Sequence, residues 1–392
     1  MTLVAERLDF SATSRAAGAG DPPRLADLRA KAAALAGQFE WPDSHEQRPW
    51  KYYDAATIAI TPDTPLATAS VLFAGASVAS KLAAAKLPES LGAVVRPDTD
   101  RVTALHYAYL GETAVVNVPA NTELTEPVRL SWTIRGEGFV APHTSIVTGA
   151  NTHVTVIEEF TSGDEDVVVL PAAEILPGPG SEVHHYVVHR WGPNTRVFLN
   201  QRFLGAARDG AYRSLQMVLS GAVVKGHLEA TMQERGTSSE LLGVTYGTGA
   251  TYSDFFTLQD HVGPSTRSDL KYKTALKDQS RAVYYGLTRV GLGAHNADAN
   301  QENRNLLLSK SARADSDPVL EILTSDIIRA SHGATAGPVD QEQLFYLQAR
   351  GIPRPEAQAL LVTAFLEDVL ARIPEEDVRT ELIATLEEKL EA

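Results

Sequence analysis

The sequence predicts a mainly β protein, a parallel β-helix flanked by α-helical regions at its N- and C-terminal ends. Two observations lead there. A long middle segment consists of short runs in which apolar and polar residues alternate, many starting roughly 13 to 16 residues after the previous run, with Gly, Asn, Asp and Pro between them. On both sides of that segment the apolar residues return to helical spacing.

The first part of the chain, residues 1–110, is expected to form a mostly helical N-terminal region. Residues 22–36 repeat apolar side chains at helical spacing, and residues 100–109 predict a further helix. An aromatic group follows the first helix and is interpreted as a staple folded back on this lobe. Its members are Trp41, Trp50, Tyr52 and Tyr53.

Residues 111–337 are expected to form the β core. Predicted strands lie at 153–157, 182–190, 196–203, 212–219, 223–232, 254–260, 268–274 and 281–288. Strands of this length and spacing suit either a β-sandwich or a β-solenoid. A single sandwich would be strained to use more than about 200 residues, so a parallel β-helix is the better prediction.

Residues 338–392 are expected to form a compact C-terminal helical module. It contains a short helix at 341–349, a second at 356–371 and a last helix that begins after Pro374. In the second helix the predicted apolar face is Ala357, Leu360, Leu361, Ala364 and Phe365. In the last helix it is Val378, Leu382, Leu386 and Leu390. Apolar stripes of this kind usually pack into the protein's own hydrophobic core. The alternative is that they form a docking surface for a partner protein.

Composition excludes several function classes. The formal net charge is −14, which disfavours binding to nucleic acid or to anionic membrane surfaces. The N-terminal segment has no apolar run of signal-peptide length and no run approaches a membrane span, so a cytoplasmic protein is expected. The chain has no cysteine, so it forms no disulfide and offers no thiolate nucleophile or metal ligand.

Catalytic signatures are absent from the sequence. There is no P-loop, no His-Glu-x-x-His and no nucleophile elbow, and the glycine pair around residues 333–337 lacks the lysine of a P-loop. The chain is therefore expected not to be an enzyme. If ATP is involved, another chain hydrolyses it.

Two clusters of polar residues have the side chains of a metal or catalytic site, but a structural role is the favoured interpretation of each. One predicted strand contains three histidines, His184, His185 and His189. Because side chains alternate along a strand, His184 points away from the other two. We therefore favour packed or solvated histidines over a metal site formed by these three. The carboxylates Asp254, Asp260 and Asp269 suit a carbohydrate-cleaving β-helix enzyme, with a solvated loop edge as the structural alternative.

Several separate motifs occur in order in the last third of the chain. They are QENRNLLLS at 301–309, ARAD at 312–315, SHGAT at 331–335, DQEQLFYL at 340–347 and RGIP at 350–353. Together they resemble the SufB/SufD family of iron–sulfur cluster assembly proteins. Weaker similarity extends to RPWKY at 48–52 and to residues 260–261. Within the family the chain resembles SufD, because it is shorter than SufB and lacks the cysteine that SufB contributes.

The resemblance implies a right-handed parallel β-helix and a scaffold subunit that binds no cofactor stably by itself. It implies pairing with a SufB-like subunit through the ends of the two β-helices, and a transient Fe–S cluster shared between them. It also implies a SufC-like ABC ATPase bound to the C-terminal helical part, for which Phe365, Leu382 and Leu386 are the candidate docking residues. A purely structural paralogue without a ligand role is the alternative within the family.

His332 matches the family histidine near the site of cluster formation and is the candidate metal ligand at the partner interface. A neutral imidazole is a reasonable iron ligand beside a partner thiolate. Many family members have a cysteine two residues earlier, where this chain has Ala330. The structural alternative is that His332 is a turn residue that holds a loop at 333–337.

Overall fold

A computed structural model describes residues 8–82, 88 and 90–391 of the chain. Residues 1–7, 83–87 and 89 of the predicted N-terminal region and residue 392 of the predicted C-terminal module lie outside the described residues. The helices are α1 Ser11–Ala17, α2 Pro23–Gln38, α3 Arg101–Ala108, α4 Gln341–Ala349, α5 Arg354–Leu370 and α6 Glu376–Glu391.

The described strands form two sheets. In chain order they are β1 Thr68–Gly75, β2 Ala79–Lys81, β3 Leu110–Val118, β4 Val128–Arg135, β5 Gly138–Thr148, β6 His153–Ser162, β7 Val167–Val169, β8 Ala172–Leu176, β9 Glu182–Arg190, β10 Thr195–Gly205, β11 Ala211–Ser220, β12 Val223–Met232, β13 Ser238–Gly247, β14 Tyr252–His261, β15 Arg267–Leu276, β16 Arg281–Val290, β17 Ala297–Leu307, β18 Arg313–Ile322 and β19 Ile327–Pro338. Sheet 1 has the order β1-β4-β6-β9-β11-β13-β15-β17-β19, and sheet 2 has the order β18-β16-β14-β12-β10-β7-β5-β3-β2, with β8 beside β5 and β10.

From β9 onward, successive strands alternate between the two sheets. From β11 onward, each strand pairs in parallel with strands two places away in the chain. Residues of β12 pair with β14 in unbroken register from Val223 with Tyr252 to Met232 with His261. This is a β-solenoid, as predicted. Several turns between its strands are made by residues with positive φ, among them Asp209, Asp278 and Asn296, which are residue types that tolerate the left-handed conformation.

Side chains alternate between the interior of the solenoid and its two outer faces. The described residues form three large apolar cores and two small apolar clusters. The interior core contains Trp132, Phe160 and Phe203. A second core joins the N-terminal helices to the outer face of sheet 2, and a third joins α5 and α6 to the outer face of sheet 1. The two helical modules therefore cover different sheets.

Aromatic residues of the predicted staple pack on sheet 2, a contact that the sequence did not predict. The ring of Trp50 stacks on Phe198 of β10 at 6.2 Å between centroids, and Tyr53 contacts Phe198 at 5.4 Å and Tyr252 at 5.8 Å. Two parts of this region are strands rather than helix, because β1 and β2 pair antiparallel with β4 and β3 and so extend both sheets.

The C-terminal module packs on sheet 1, and its last helix buries the predicted stripe through Val378, Leu382 and Leu386. For α5 the prediction of the buried face is wrong, because the helix is rotated about its axis relative to the predicted orientation. The buried residues of α5 are Ala357, Val362, Leu366, Val369 and Leu370. Leu360 and Ala364, which the pattern placed in the core, are exposed.

Ion pairs stabilise the outer face of sheet 2 beneath the N-terminal region. Lys225 and Asp254 form a buried pair at 2.8 Å. Arg202, also buried, lies 3.2 Å from Glu229, and Nε2 of His227 lies 2.8 Å from the same carboxylate. Burial opposes ionisation of Glu229, but the nearby Arg202 and His227 outweigh burial and lower its pKa to about 2.

Within the described residues, no helix combines the length and the apolar character that a membrane crossing requires.

Candidate functional site at the open end of the solenoid

The last rung of the solenoid is formed by β18 and β19, which are the terminal strands of sheets 2 and 1. Side chains that would be buried in an inner rung are exposed or half-buried along both strands. We call this surface the open end. Ile322 is 41% exposed and Ile328 is 70% exposed, so the open end presents apolar side chains to solvent.

His332 lies in the middle of β19, paired with Gln301 of β17. Paired residues in a parallel sheet point to the same face, and Gln301 is buried in the interior, so His332 is on the inward face of the last rung. Among the described residues no further rung covers it, and its side chain is exposed. The alternative interpretation as a turn residue is wrong, because residues 333–337 belong to the strand.

A hydrogen-bonded layer supports the position beneath His332. The Gln301 amide nitrogen donates to the hydroxyl of Tyr284 at 2.6 Å, and the Gln301 amide oxygen accepts from Thr288 at 3.4 Å. Thr288 also donates to Gln259 at 3.1 Å, whose amide nitrogen donates to Ser268 at 2.7 Å. This network holds in place the polar side chains of the inner rungs that lie directly beneath the inward face of β19.

Small and apolar residues surround His332 on the open end. On β19 the inward positions next to it are Ala330 and Ala334, by the same pairing that places Gln301. On β18 the inward positions include Pro318 and Leu320, which pair with buried Gly286 and Thr288. The result is a single imidazole on an apolar floor. Such a surface suits a partner that buries the floor and supplies further ligands.

The three histidines of β9 point to opposite faces of the sheet, as strand alternation predicts. Nε2 of His185 lies 2.8 Å from the buried carboxylate of Glu158, and Nε2 of His189 lies 2.8 Å from the Gln216 amide oxygen, both inside the solenoid. Burial lowers the pKa of His189 to about 4, so it is neutral at physiological pH. His184 points outward toward Glu375.

The three carboxylates weighed for carbohydrate cleavage do not form a pair across a cleft. Asp254 and Asp260 are six positions apart on β14, about 20 Å along the strand, whereas a retaining or inverting glycosidase needs roughly 5 to 9.5 Å. Asp269 lies on the other sheet. Each carboxylate is held by a cation, Lys225, Arg289 and Arg372 respectively.

The predicted ATPase docking residues lie inside the C-terminal module. Leu382 and Leu386 are buried against sheet 1, and Phe365 packs partly buried beside them under Lys273. A partner cannot reach Leu382 or Leu386 in this conformation, so their assignment as a docking surface is corrected: they belong to the intramolecular core.

A different face of the same module is exposed and apolar. Phe345 and Tyr346 of α4 are 71% and 56% exposed, and Leu360 of α5 is 52% exposed. We call these three residues the exposed aromatic face. The sequence offered a signal for it, since adjacent aromatic residues on a short helix cannot both point to one core.

Comparison with known proteins agrees with the motifs. The family model described as "SUF system FeS cluster assembly, SufBD core domain" matches residues 132–365. An iron–sulfur cluster assembly SufBD family protein of Mycobacterium tuberculosis is 32% identical over 302 residues, 75% of each chain. The SufD protein of Bacillus subtilis is 29% identical over 300 residues, 76% of this chain and 68% of the relative. Escherichia coli SufD is 29% identical over 250 residues, 63% of this chain and 58% of the relative.

Proposed function

Because the chain belongs to the SufBD family of SUF-system iron–sulfur cluster assembly proteins, we propose that it is a SufD-like, non-catalytic scaffold subunit acting in the cytoplasm. In this proposal it pairs with a SufB-like subunit, binds a SufC-like ABC ATPase, and helps to build and transfer an Fe–S cluster that it does not retain by itself. The observation that carries the proposal is the position of His332, inward on the last rung and exposed at the open end.

His332 would hold iron of the nascent cluster, which is the cargo of the assembly. The imidazole ligates iron in its neutral form, through a ring nitrogen. The chain has no cysteine, so the thiolate ligands must come from the partner subunit. The apolar floor around His332 would be buried by the end of the partner's solenoid, which excludes water from the junction.

The ATPase is proposed to dock on the exposed aromatic face rather than on the buried stripe of α6. Phe345 and Tyr346 provide aromatic area of the kind that dominates protein interfaces, and Leu360 of α5 is a further exposed apolar side chain of the same module. The module is tied to sheet 1 by ion pairs of Arg372 with Glu240 at 2.6 Å and Asp269 at 2.7 Å. Movement of a docked ATPase would therefore be transmitted to the solenoid.

His332→Ala is expected to reduce cluster formation strongly while leaving the complex intact, because the side chain is exposed on the open end and supports no core packing. The chain is co-expressed anaerobically with SufB-like and SufC-like partners and purified by a tag on this chain. Bound iron and sulfide are then quantified per complex.

His295→Ala is the matched control, since His295 is an exposed histidine paired with Asp326 outside the inward face of β19. Loss of iron and sulfide in the His332 variant alone supports the ligand role. Equal iron and sulfide in both variants would show that the chain is a structural paralogue without a ligand role. A tagged chain that elutes without partners would overturn the scaffold proposal.

Phe345→Asp is expected to weaken association with the ATPase by about tenfold or more, because it places a charge in the proposed interface core. Binding is measured by titrating the purified ATPase into the chain. Leu72→Asp is the control, because Leu72 of β1 is 73% exposed on a different part of the molecule. Unchanged affinity of the Phe345 variant would rule out the exposed aromatic face as the docking surface.

A further inference from the structure

A second cluster of ligand-type side chains lies on the outer face of sheet 1, where the C-terminal module meets the solenoid. It comprises His153 at the start of β6, His184 on β9 and Glu375, which precedes α6. One donor atom from each residue lies within 4.8 Å of the other two. The three residues come from separate parts of the chain and are assembled by the fold.

The positions of two of these side chains are fixed by hydrogen bonds. Nδ1 of His184 lies 2.5 Å from one carboxylate oxygen of Glu375, and the other oxygen accepts from the Tyr186 hydroxyl at 2.9 Å. Thr155 donates to the same carboxylate at 2.6 Å. The ring of His153 meets the ring of His184 edge-on, 5.0 Å between centroids.

The other ring nitrogen of His184, Nε2, lies beside a carboxylate, which is a common partner of the non-ligating nitrogen in metal-binding histidines. Nε2 lies 2.7 Å from a carboxylate oxygen of Glu182. A carboxylate on the distal nitrogen orients the imidazole and increases its basicity as a ligand. Sequence spacing does not reveal this arrangement, since Glu375 is 191 positions from His184.

The local charge favours a cation. Glu182 and Glu375 both face His184. The nearby guanidinium of Arg213 lies 3.0 Å from Nε2 of His184, but it is paired with Glu240 at 2.5 Å. Each ring nitrogen of His184 thus has a carboxylate within hydrogen-bond distance, Nδ1 that of Glu375 and Nε2 that of Glu182. The proposed ion would bind between Nδ1 and Glu375.

We propose that His153, His184 and Glu375 bind one divalent transition-metal ion of the zinc or ferrous class, with Glu182 as the positioning residue. Two imidazoles and a carboxylate are a donor set for such ions, whereas calcium and magnesium prefer oxygen ligands alone. Binding replaces the proton between His184 and Glu375, which is released to solvent. Nδ1 of His184 and the carboxylate oxygen of Glu375 then move apart to about 3.4 Å, which is the distance between two ligand atoms around tetrahedral zinc.

The bound ion would join β6 and β9 to Glu375, the residue just before the last helix. It would therefore fasten the C-terminal module to the solenoid. This role is separate from cluster assembly at the open end and does not depend on the proposed function.

The test is calorimetric titration of Zn²⁺ into the metal-free full-length chain, with Co²⁺ absorption as a second measurement. We expect one tight zinc per chain and a Co²⁺ spectrum of a site with nitrogen and oxygen ligands. His153→Ala removes one ligand but leaves the hydrogen bond between His184 and Glu375, so the chain should stay folded. It should weaken zinc binding by at least about tenfold, and Glu182→Gln should do so by about 10- to 100-fold.

His295→Ala serves as the control for adventitious binding by an exposed histidine. Zinc affinity that is unchanged in this control and lost in the His153 variant supports the site. Equal zinc affinity in the wild type and the His153 variant would overturn the proposal, and so would loss of the tight zinc in the His295 variant. A Co²⁺ spectrum of the wild type that matches the His153 variant would also overturn it.

Discussion

Glu229→Gln is expected to lower the free energy of unfolding by about 3 to 5 kcal/mol at neutral pH, one of the two largest effects predicted for a single substitution in this chain. The substitution leaves the buried guanidinium of Arg202 without its carboxylate, which lies 3.2 Å away. The shape of the side chain is nearly unchanged, so the loss is electrostatic. Urea unfolding followed by circular dichroism measures it.

The same carboxylate predicts how stability changes with acid. The folded-state pKa of Glu229 is about 2, below the value of 4.5 for an unperturbed glutamate. A lowered pKa stabilises the fold above pH 4.5, and that contribution is lost as the pH falls from about 4.5 toward 2, by roughly 3 kcal/mol in total. In the Gln variant this part of the acid dependence should be absent.

Glu126→Gln is the control, because Glu126 is an exposed carboxylate outside the ion-pair network. It should change the free energy of unfolding by no more than about 0.5 kcal/mol. A Glu229 variant as stable as this control, with the wild-type acid dependence, would show that the Arg202 pair does not contribute to stability.

Leu386→Ala is expected to cost about 2 to 5 kcal/mol of the stability with which the C-terminal module holds to sheet 1. Leu386 is fully buried between α6 and the outer face of that sheet. The solenoid has its own interior core, so the substitution should release the module before the solenoid unfolds. Hydrogen exchange should show faster exchange in α5 and α6 than in the strands.

Leu360→Ala is the matched variant in the same module, since it removes the same atoms from an exposed leucine. Its effect on stability should stay within about 0.5 kcal/mol. If both leucine variants exchange alike, the module is not held by the buried stripe of α6, and the docking assignment of Leu386 would be open again.

Much of the fold follows from patterns that act over a few residues. The alternation of polar and apolar residues predicted the strands closely, with 182–190 and 223–232 matching β9 and β12 residue for residue. Alternation also separated His184 from His185 and His189 correctly. These predictions succeed because the two-residue period of a strand is local and strict.

Predictions that depend on tertiary packing did less well. The face of α5 was wrong because Leu360 and Leu366 both fit an apolar stripe, and the choice between them is made by contact with sheet 1. Likewise, spacing cannot place Glu375 beside His184, because the contact requires the module to fold back on the solenoid. The exposure of His332 was likewise not predictable from local patterns, because it results from β19 being a terminal strand of its sheet.

The unpaired last rung has a consequence for how the protein is made. Strands β18 and β19 leave the ribosome after the other strands described here. Among the described strands, β18 and β19 each have one edge without a neighbouring strand, so its backbone amides and carbonyls can pair with a strand of another chain. Covering of the open end would therefore protect a newly made chain against aggregation.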